Sequence, residues 1–310
     1  MMLNSKPKLN PLKSLIQFIL DVARGILMGV AEVLPGISGG TVALIIGIYE
    51  RIVFSASEAV KGFVLLLSFS KPKWKQARKR FASIEWPLLV PLLMGMIIGI
   101  FASAAAVLPL MESYPSLSFA AFAGLILASL AVPISLSGGK WGVKEFLFFG
   151  LAAVITVGLS SIPRGQENES SFWFIFISAA LAVCALSLPG VSGSNLLIAL
   201  GMFAPTLAAV NSLDWGFLGV FILGAIVGFG SFVGVLEWLF ENHRKKTLAA
   251  MTGLMTGSVA ALWPWQDETG VNLAAPIVFW PELLAFAIGF AVVVILMLVE
   301  KLLVRRTRIA

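Results

Sequence analysis

Six long apolar stretches dominate the chain: Trp86–Leu110, Leu117–Leu136, Val143–Ile162, Gly216–Phe240, Thr247–Trp265 and Phe279–Leu303. Each is long enough to carry a helix across the ~30 Å hydrocarbon core of a bilayer. In that medium every backbone N–H and C=O needs a partner inside the protein, so an all-α polytopic membrane fold is expected. Composition agrees, with 59% hydrophobic and 12% charged residues, where a soluble domain has roughly twice that charged share. The basic start (Lys6, Lys8, Lys13) leads into Leu15–Val33 without a small-residue cleavage site, so no cleavable signal peptide is expected. Cys184 is the single cysteine and His243 the single histidine, which excludes an intrachain disulfide, a histidine triad and a multi-histidine metal site. No metal or cofactor is expected. The net charge of +6 sits in short loops beside spans, where it acts as a topology signal and not as a nucleic-acid surface.

Two further apolar stretches, about 15–54 and 172–207, are interrupted by the same motif, "LPGISGG" (Leu34–Gly40) and "LPGVSGS" (Leu188–Ser194). Pro35, Gly36, Ser38, Gly39 and Gly47 match Pro189, Gly190, Ser192, Gly193 and Gly201 at an offset of 154. Trp86, Gly95, Gly99, Glu112 and Gly124 match Trp215, Gly224, Gly228, Glu241 and Gly253 at an offset of 129. The difference is extra sequence in the first half, including a basic loop at 71–80, "KPKWKQARKR". The chain therefore reads as one unit used twice, residues 1–163 and 164–310, each with a broken hairpin and about three spanning helices.

Charge orients the two units. "MESYPS" (Met111–Ser116) has no Lys or Arg, whereas its mate "ENHRKK" (Glu241–Lys246) has three basic residues. By the positive-inside rule the mated loops lie on opposite sides, so the repeats are inverted. Lys71–Arg80, Lys140 and Lys144 fall inside with "RRTR" (Arg305–Arg308), and both termini are expected in the cytoplasm of a cell with an inner membrane. The parity closes if each broken stretch returns to the side it left. Pro-Gly favours a re-entrant turn, and two complete crossings satisfy the same parity.

Such a turn starts a second half-helix near Ser38 or Ser192, with unpartnered N–H groups and a dipole that favour an anion. Gly39, Gly40 and Gly193 let it approach the backbone, while Ser38, Thr41, Ser192, Ser194 and Asn195 offer hydrogen bonds. The competing reading is capping and small-residue packing. Charges inside apolar stretches cost roughly 2.5–3.5 kcal/mol at a bilayer centre, so each needs a partner or a task. Asp21 and Arg24 are spaced to pair on one helix face, or Arg24 offers its fork to a phosphate. Glu32, just before the turn, is the candidate carrier of a coupling proton. Glu50, Arg51 and Glu237 read as interfacial or structural, and Gly95/Gly99 and Gly224/Gly228 as helix-packing pairs.

Gly25–Val53, "GILMGVAEVLPGISGGTVALIIGIYERIV", and Leu188–Met202, "LPGVSGSNLLIALGM", resemble the two signature regions of the bacterial polyprenyl-phosphate transporter family. The resemblance covers nearly the whole chain. It implies translocation of undecaprenyl phosphate from the outer to the inner leaflet of the cytoplasmic membrane, for envelope polysaccharide and peptidoglycan synthesis. It also implies that Arg24, Glu32, Ser38, Gly39, Gly40, Thr41, Ser192, Gly193, Ser194 and Asn195 are functional positions. The alternatives are an undecaprenyl pyrophosphate phosphatase, whose motifs are similar, and a carrier of a small inorganic anion. The phosphatase pattern has a second acid, a histidine and an arginine where this chain has Met28, Gly40/Thr41 and Gly193, so a lipid transporter and not an enzyme is expected.

Overall fold

The computed structural model describes residues 11–33, 38–68, 70–160, 171–266 and 274–309. Among them there are helices and no β-strand. The first broken stretch forms α1 (Pro11–Val33), α2 (Gly39–Ile45) and α3 (Tyr49–Leu66). Its mate forms α9 (Phe172–Leu186), α10 (Gly193–Ala199) and α11 (Phe203–Ser212). Between them lie α4 (Lys71–Ser83), α5 (Trp86–Ser113), α6 (Pro115–Ser129), α7 (Ala131–Leu136) and α8 (Val143–Ser160). The chain continues through α12 (Trp215–Ser258), a 3-10 turn (Val259–Leu262) and α13 (Trp280–Ile309).

Five helices among the described residues are long and apolar enough to cross a membrane, six if a bent pair is counted as one span. Their outer faces are apolar and bare: Phe101 is 74% exposed, Ile226 58% and Ile288 64%. Water would reject such faces and lipid solvates them, so the chain is a multi-pass membrane protein. Exposed tryptophans stand at helix starts, Trp86 on α5, Trp215 on α12 and Trp280 on α13, as amphipathic rings do at a headgroup layer. Buried hydroxyls bond back to their own helix, Thr156 to the Ala152 carbonyl (3.0 Å) and Thr252 to that of Leu248 (2.7 Å), which pairs these two polar atoms inside the core.

The six-residue loops read from the sequence are much shorter in the structure. Between α5 and α6 the break is Tyr114 alone, at φ −138° and ψ 63°. Its mate is His243, the one non-helical residue inside α12, at φ −136° and ψ 31°. The Thr247 hydroxyl donates to the Leu239 carbonyl at 3.3 Å. Eight residues of straight helix would set these atoms about 12 Å apart, so the chain reverses at His243 and α12 is two helices. The basic segment 71–80 is also corrected. It is not a loop but the body of α4, built from good helix formers with a proline in its first turn.

Mated glycines make mated contacts. A Cβ built on Gly95 would lie 2.0 Å from the Val22 carbonyl oxygen, and one on Gly99 2.3 Å from that of Ile26. In the second unit Gly224 meets Phe176 and Gly228 meets Ala180, the equivalents of Val22 and Ile26 at the same offset of 154. These glycines let α1 touch α5, and α9 touch the first leg of α12, backbone to backbone, as small-residue pairs do in lipid. Close glycine contacts also join the two halves of the chain. Gly124 of α6 lies against Phe286 of α13, and Gly253, its mate in α12, lies against Phe149 of α8. One buried core holds Met28, Leu44 and Ile48 together with Leu236, Met251 and Met255.

The ionic residues read as structural are paired. Glu50 accepts from Arg244 (2.8 Å), and Arg51 pairs with Glu85. Glu237 accepts from the Ser57 hydroxyl (2.6 Å) and pairs with Lys61. The sequence reading passed over Glu58, which is buried and held by Arg80 and the Ser83 hydroxyl, both at 2.8 Å.

Candidate functional site

Both serine motifs start helices in the expected manner. Ser38 is the N-cap of α2 and accepts from the Thr41 N–H at 3.3 Å. Ser192 is the N-cap of α10 and accepts from the Asn195 N–H at 3.4 Å. In extended backbone their hydroxyls reach back to the first turn, satisfying a donor that the helix itself leaves open. Pro35 and Gly36 lie outside the described residues. Pro189–Gly190 forms a turn in which Gly190 takes φ +83°, a conformation that favours glycine. A Cβ there would also lie 2.6 Å from Met255.

The two motifs touch. The Gly190 N–H donates to Thr41 Oγ1 at 3.0 Å, and Ser38 Oγ donates to the Leu188 carbonyl at 3.4 Å. Gly40 sits beside the same turn, so a Cβ on it would lie 3.6 Å from the Ser187 carbonyl oxygen. Tyr49, buried at the start of α3, donates its hydroxyl to that carbonyl at 2.6 Å. Positions 149 residues apart are thus joined by direct hydrogen bonds in a buried setting.

The two turns differ in how their open groups are met. In the first, the Gly39 N–H donates to Glu32 Oε1 at 2.7 Å, so a carboxylate from α1 covers the start of α2. In the second, Leu186 occupies the position equivalent to Glu32. There Ser192 Oγ and Ser194 Oγ lie 2.9 Å apart, and Ser194 and Asn195 are exposed. A cavity of about 40 Å³ opens here, lined by Gly190, Ser192 and Asn195 together with Thr156 of α8 and Ser258 of α12. At ~10–15 Å³ per water-sized group, it has room for a small polar head and none for a chain. Gly193 is buried against the Ala182 carbonyl, a packing role.

Arg24 stands apart from the turns. Its Nη1 donates to Asp21 Oδ1 at 2.7 Å, and Gln17 donates to both Asp21 oxygens at 3.0 and 3.1 Å. Asp21 is buried, while the Arg24 side chain keeps 28% exposure. Eight residues of α1 separate Arg24 from Glu32, about 12 Å along the axis. The structure therefore pairs Arg24 with Asp21, and brings Ser38, Gly40 and Thr41, with Gly39 and Glu32 beside them, against Ser187, Leu188 and Gly190 of the second turn, whereas Ser192 and Asn195 follow that turn and line the cavity beside α8 and α12. At the position equivalent to Arg24, Ser178 has a buried hydroxyl without a hydrogen-bond partner. Tyr49, Thr156 and Ser258 were not anticipated. Tyr49 follows the motif within the quoted signature region, a usable signal, whereas Thr156 and Ser258 reach the cavity only through tertiary packing.

Fold and paired turns together define a multi-pass helical membrane protein built around two broken helices. The chain belongs to the VCA0040-like, undecaprenyl phosphate translocase-like family, which matches residues 28–275. It is 31% identical over 254 residues to the polyprenyl-phosphate transporter of Vibrio cholerae serotype O1 (strain ATCC 39315 / El Tor Inaba N16961), covering 81% of this chain and 80% of that one. It is 25% identical over 293 residues to the polyprenyl-phosphate transporter of Staphylococcus aureus (strain NCTC 8325 / PS 47), covering 88% and 94%. No solved structure matches the chain at a significant level.

Proposed function

We propose that this protein moves undecaprenyl phosphate, the polyprenyl-phosphate carrier lipid, from the outer to the inner leaflet of the cytoplasmic membrane, returning it for cell-envelope synthesis. The observation that carries the phosphate site is the small cavity at the second turn, where Ser192 and Asn195 stand among apolar neighbours such as Val191 and Leu196, and which Gly190 joins to the first turn through Thr41. A phosphate monoester is too costly to bring into hydrocarbon without compensating hydrogen bonds or charge. Its isoprenoid tail is at home in lipid, so only the head needs a protein path. Hydroxyls of Ser38, Thr41, Ser192 and Ser194, the Asn195 amide and the glycine backbone supply hydrogen bonds along that path, and Arg24 supplies a positive charge on α1.

Alternating access would come from one unit rocking against the other, with residues 1–163 and 164–310 as the two inverted repeats. The mated glycine contacts and the mated reversals at Tyr114 and His243 support this division. The 104° bend between α10 and α11 supports a re-entrant second hairpin. In the first hairpin, Ser14–Glu32 of α1 would extend about 28 Å, so α1 enters deeper than the fifteen-residue α9.

Purified protein in liposomes should move undecaprenyl phosphate across the bilayer, and Ser192→Ala with Asn195→Ala should slow it about a hundredfold or more, the loss of two hydrogen bonds to a charged group at about 1.5–3 kcal/mol each. The same preparation should release no inorganic phosphate from undecaprenyl pyrophosphate. Phosphate release would establish the phosphatase alternative, and transport of inorganic phosphate in place of the lipid would establish a small-anion carrier.

Orientation has its own test. Cysteines placed at Ser113 and Asn242 in a Cys184→Ala background should react with an impermeant thiol reagent from opposite sides of the membrane. Labelling of both from one side would remove the inverted arrangement.

A further inference from the structure

Helix α4 has no counterpart in the second unit, where α11 leads within a few residues into α12. It packs on α3 through Ala77, which is fully buried, and through Phe81, whose ring would lie 3.0 Å from a Cβ on Gly62. Beside this contact a groove of about 850 Å³ opens between the helices, within the ~300–1,000 Å³ range of sites that hold a molecule-sized ligand. One wall is the α4 face at Gln76, Lys79, Arg80 and Ser83, spaced three and four residues apart as one helix side requires. The other wall is α3, where Phe54, Val60, Val64 and Leu65 line the groove beside Glu58 and Lys61.

The groove is therefore amphipathic, with a cationic rim and an apolar wall. Its one acid, Glu58, is already held by Arg80 and Ser83 and also lies 3.5 Å from Lys61. Lys61 is also paired with Glu237, so the unmatched positive charge on the rim is that of Lys79, which has no ion pair among the described residues. The exposed rings of Trp74 and Trp86 stand near its ends and set it at headgroup depth. Exposed Phe63, Val64 and Leu67 on α3 continue the apolar wall outward. An anionic headgroup with acyl chains meets all of these features, and a soluble anion meets only the first.

We propose that this groove binds the phosphate headgroup of an anionic diacyl phospholipid from the leaflet on α4's side of the bilayer, as a site separate from the paired turns. The missing counterpart of α4 argues for a resident phospholipid over the transported lipid. A path that opens to both leaflets draws on both repeats, whereas this groove exists on one side only.

Full-length protein carried through native mass spectrometry with mixed phosphatidylglycerol and phosphatidylcholine should retain phosphatidylglycerol selectively. Lys79→Gln and, separately, Gln76→Glu should each lower that retention about fivefold, the effect of one charge near a headgroup. Arg78→Gln, on the opposite side of α4, should leave retention unchanged. All three positions are exposed on a helix surface, and retention needs no transport measurement. Equal loss in Arg78→Gln, equal retention of phosphatidylcholine, or displacement of phosphatidylglycerol by equimolar polyprenyl phosphate would overturn the proposal.

Discussion

Arg24→Ala is expected to abolish lipid transport and to destabilise the protein, and the two losses can be separated. Asp21 is buried, and Arg24 is its ionic partner at 2.7 Å. Removing one member of a buried pair costs about 3–5 kcal/mol, mostly through the charge left behind. The partly exposed Arg24 side chain and the two Gln17 hydrogen bonds place the cost at the low end of that range. Asp21→Asn combined with Arg24→Gln removes both charges, so thermal stability should return. Transport should stay absent, because the arginine charge offered to the phosphate is still missing. Arg24→Lys keeps the ion pair and loses the planar fork, so it should fold well and transport poorly. Recovery of transport in the double variant would reduce Arg24 to the partner of a buried acid. The location favours the functional role. Ten residues into a candidate span that begins at Ser14, Arg24 would lie about 15 Å along the helix, half of a ~30 Å core.

The spans were legible because lipid imposes a simple rule: a long apolar run must be helix, since no other local structure pairs its backbone. The contact between the two motifs follows the same rule. Two Pro-Gly breaks inside apolar sequence leave backbone groups that must find partners in the protein, and the Gly190 N–H finds Thr41. The reversals were less legible. Six polar or mixed residues at 241–246 suggest a loop, yet one residue, His243, turns the chain while its neighbours remain helical. Helix α4 was hidden by its charge, because a run of lysines and arginines reads as a solvated linker until α3 supplies the surface that orders it. Glu58 was missed because its partner Arg80 lies on the next helix. The asymmetry of the site was visible in part. Leu186 in place of Glu32 shows that the turns differ, and the hydrogen bond from Gly39 to the carboxylate shows how.

That hydrogen bond changes what Glu32 is expected to do. A carboxylate already seated at the first turn occupies a place where the anionic head would otherwise gain a donor. Protonation would remove its negative charge, weaken its hold on the Gly39 N–H, and lower its repulsion of a phosphate nearby. In the proposed transport cycle Glu32 would thus link a proton to the passage of the head without touching it. Glu32→Gln should fold as the parent protein does, because the amide oxygen still accepts from Gly39. Its transport should persist and lose its response to an imposed proton gradient. Glu32→Ala leaves the N–H without this acceptor, at a cost of about 1–3 kcal/mol, and should lose both stability and transport. The decisive measurement is lipid movement in liposomes with and without a proton gradient, for parent and Glu32→Gln side by side. If both respond equally, the proton is carried elsewhere and Glu32 is a helix cap. If Glu32→Gln moves lipid faster than the parent without a gradient, the seated carboxylate is the barrier, and its neutralisation is the step that a gradient drives.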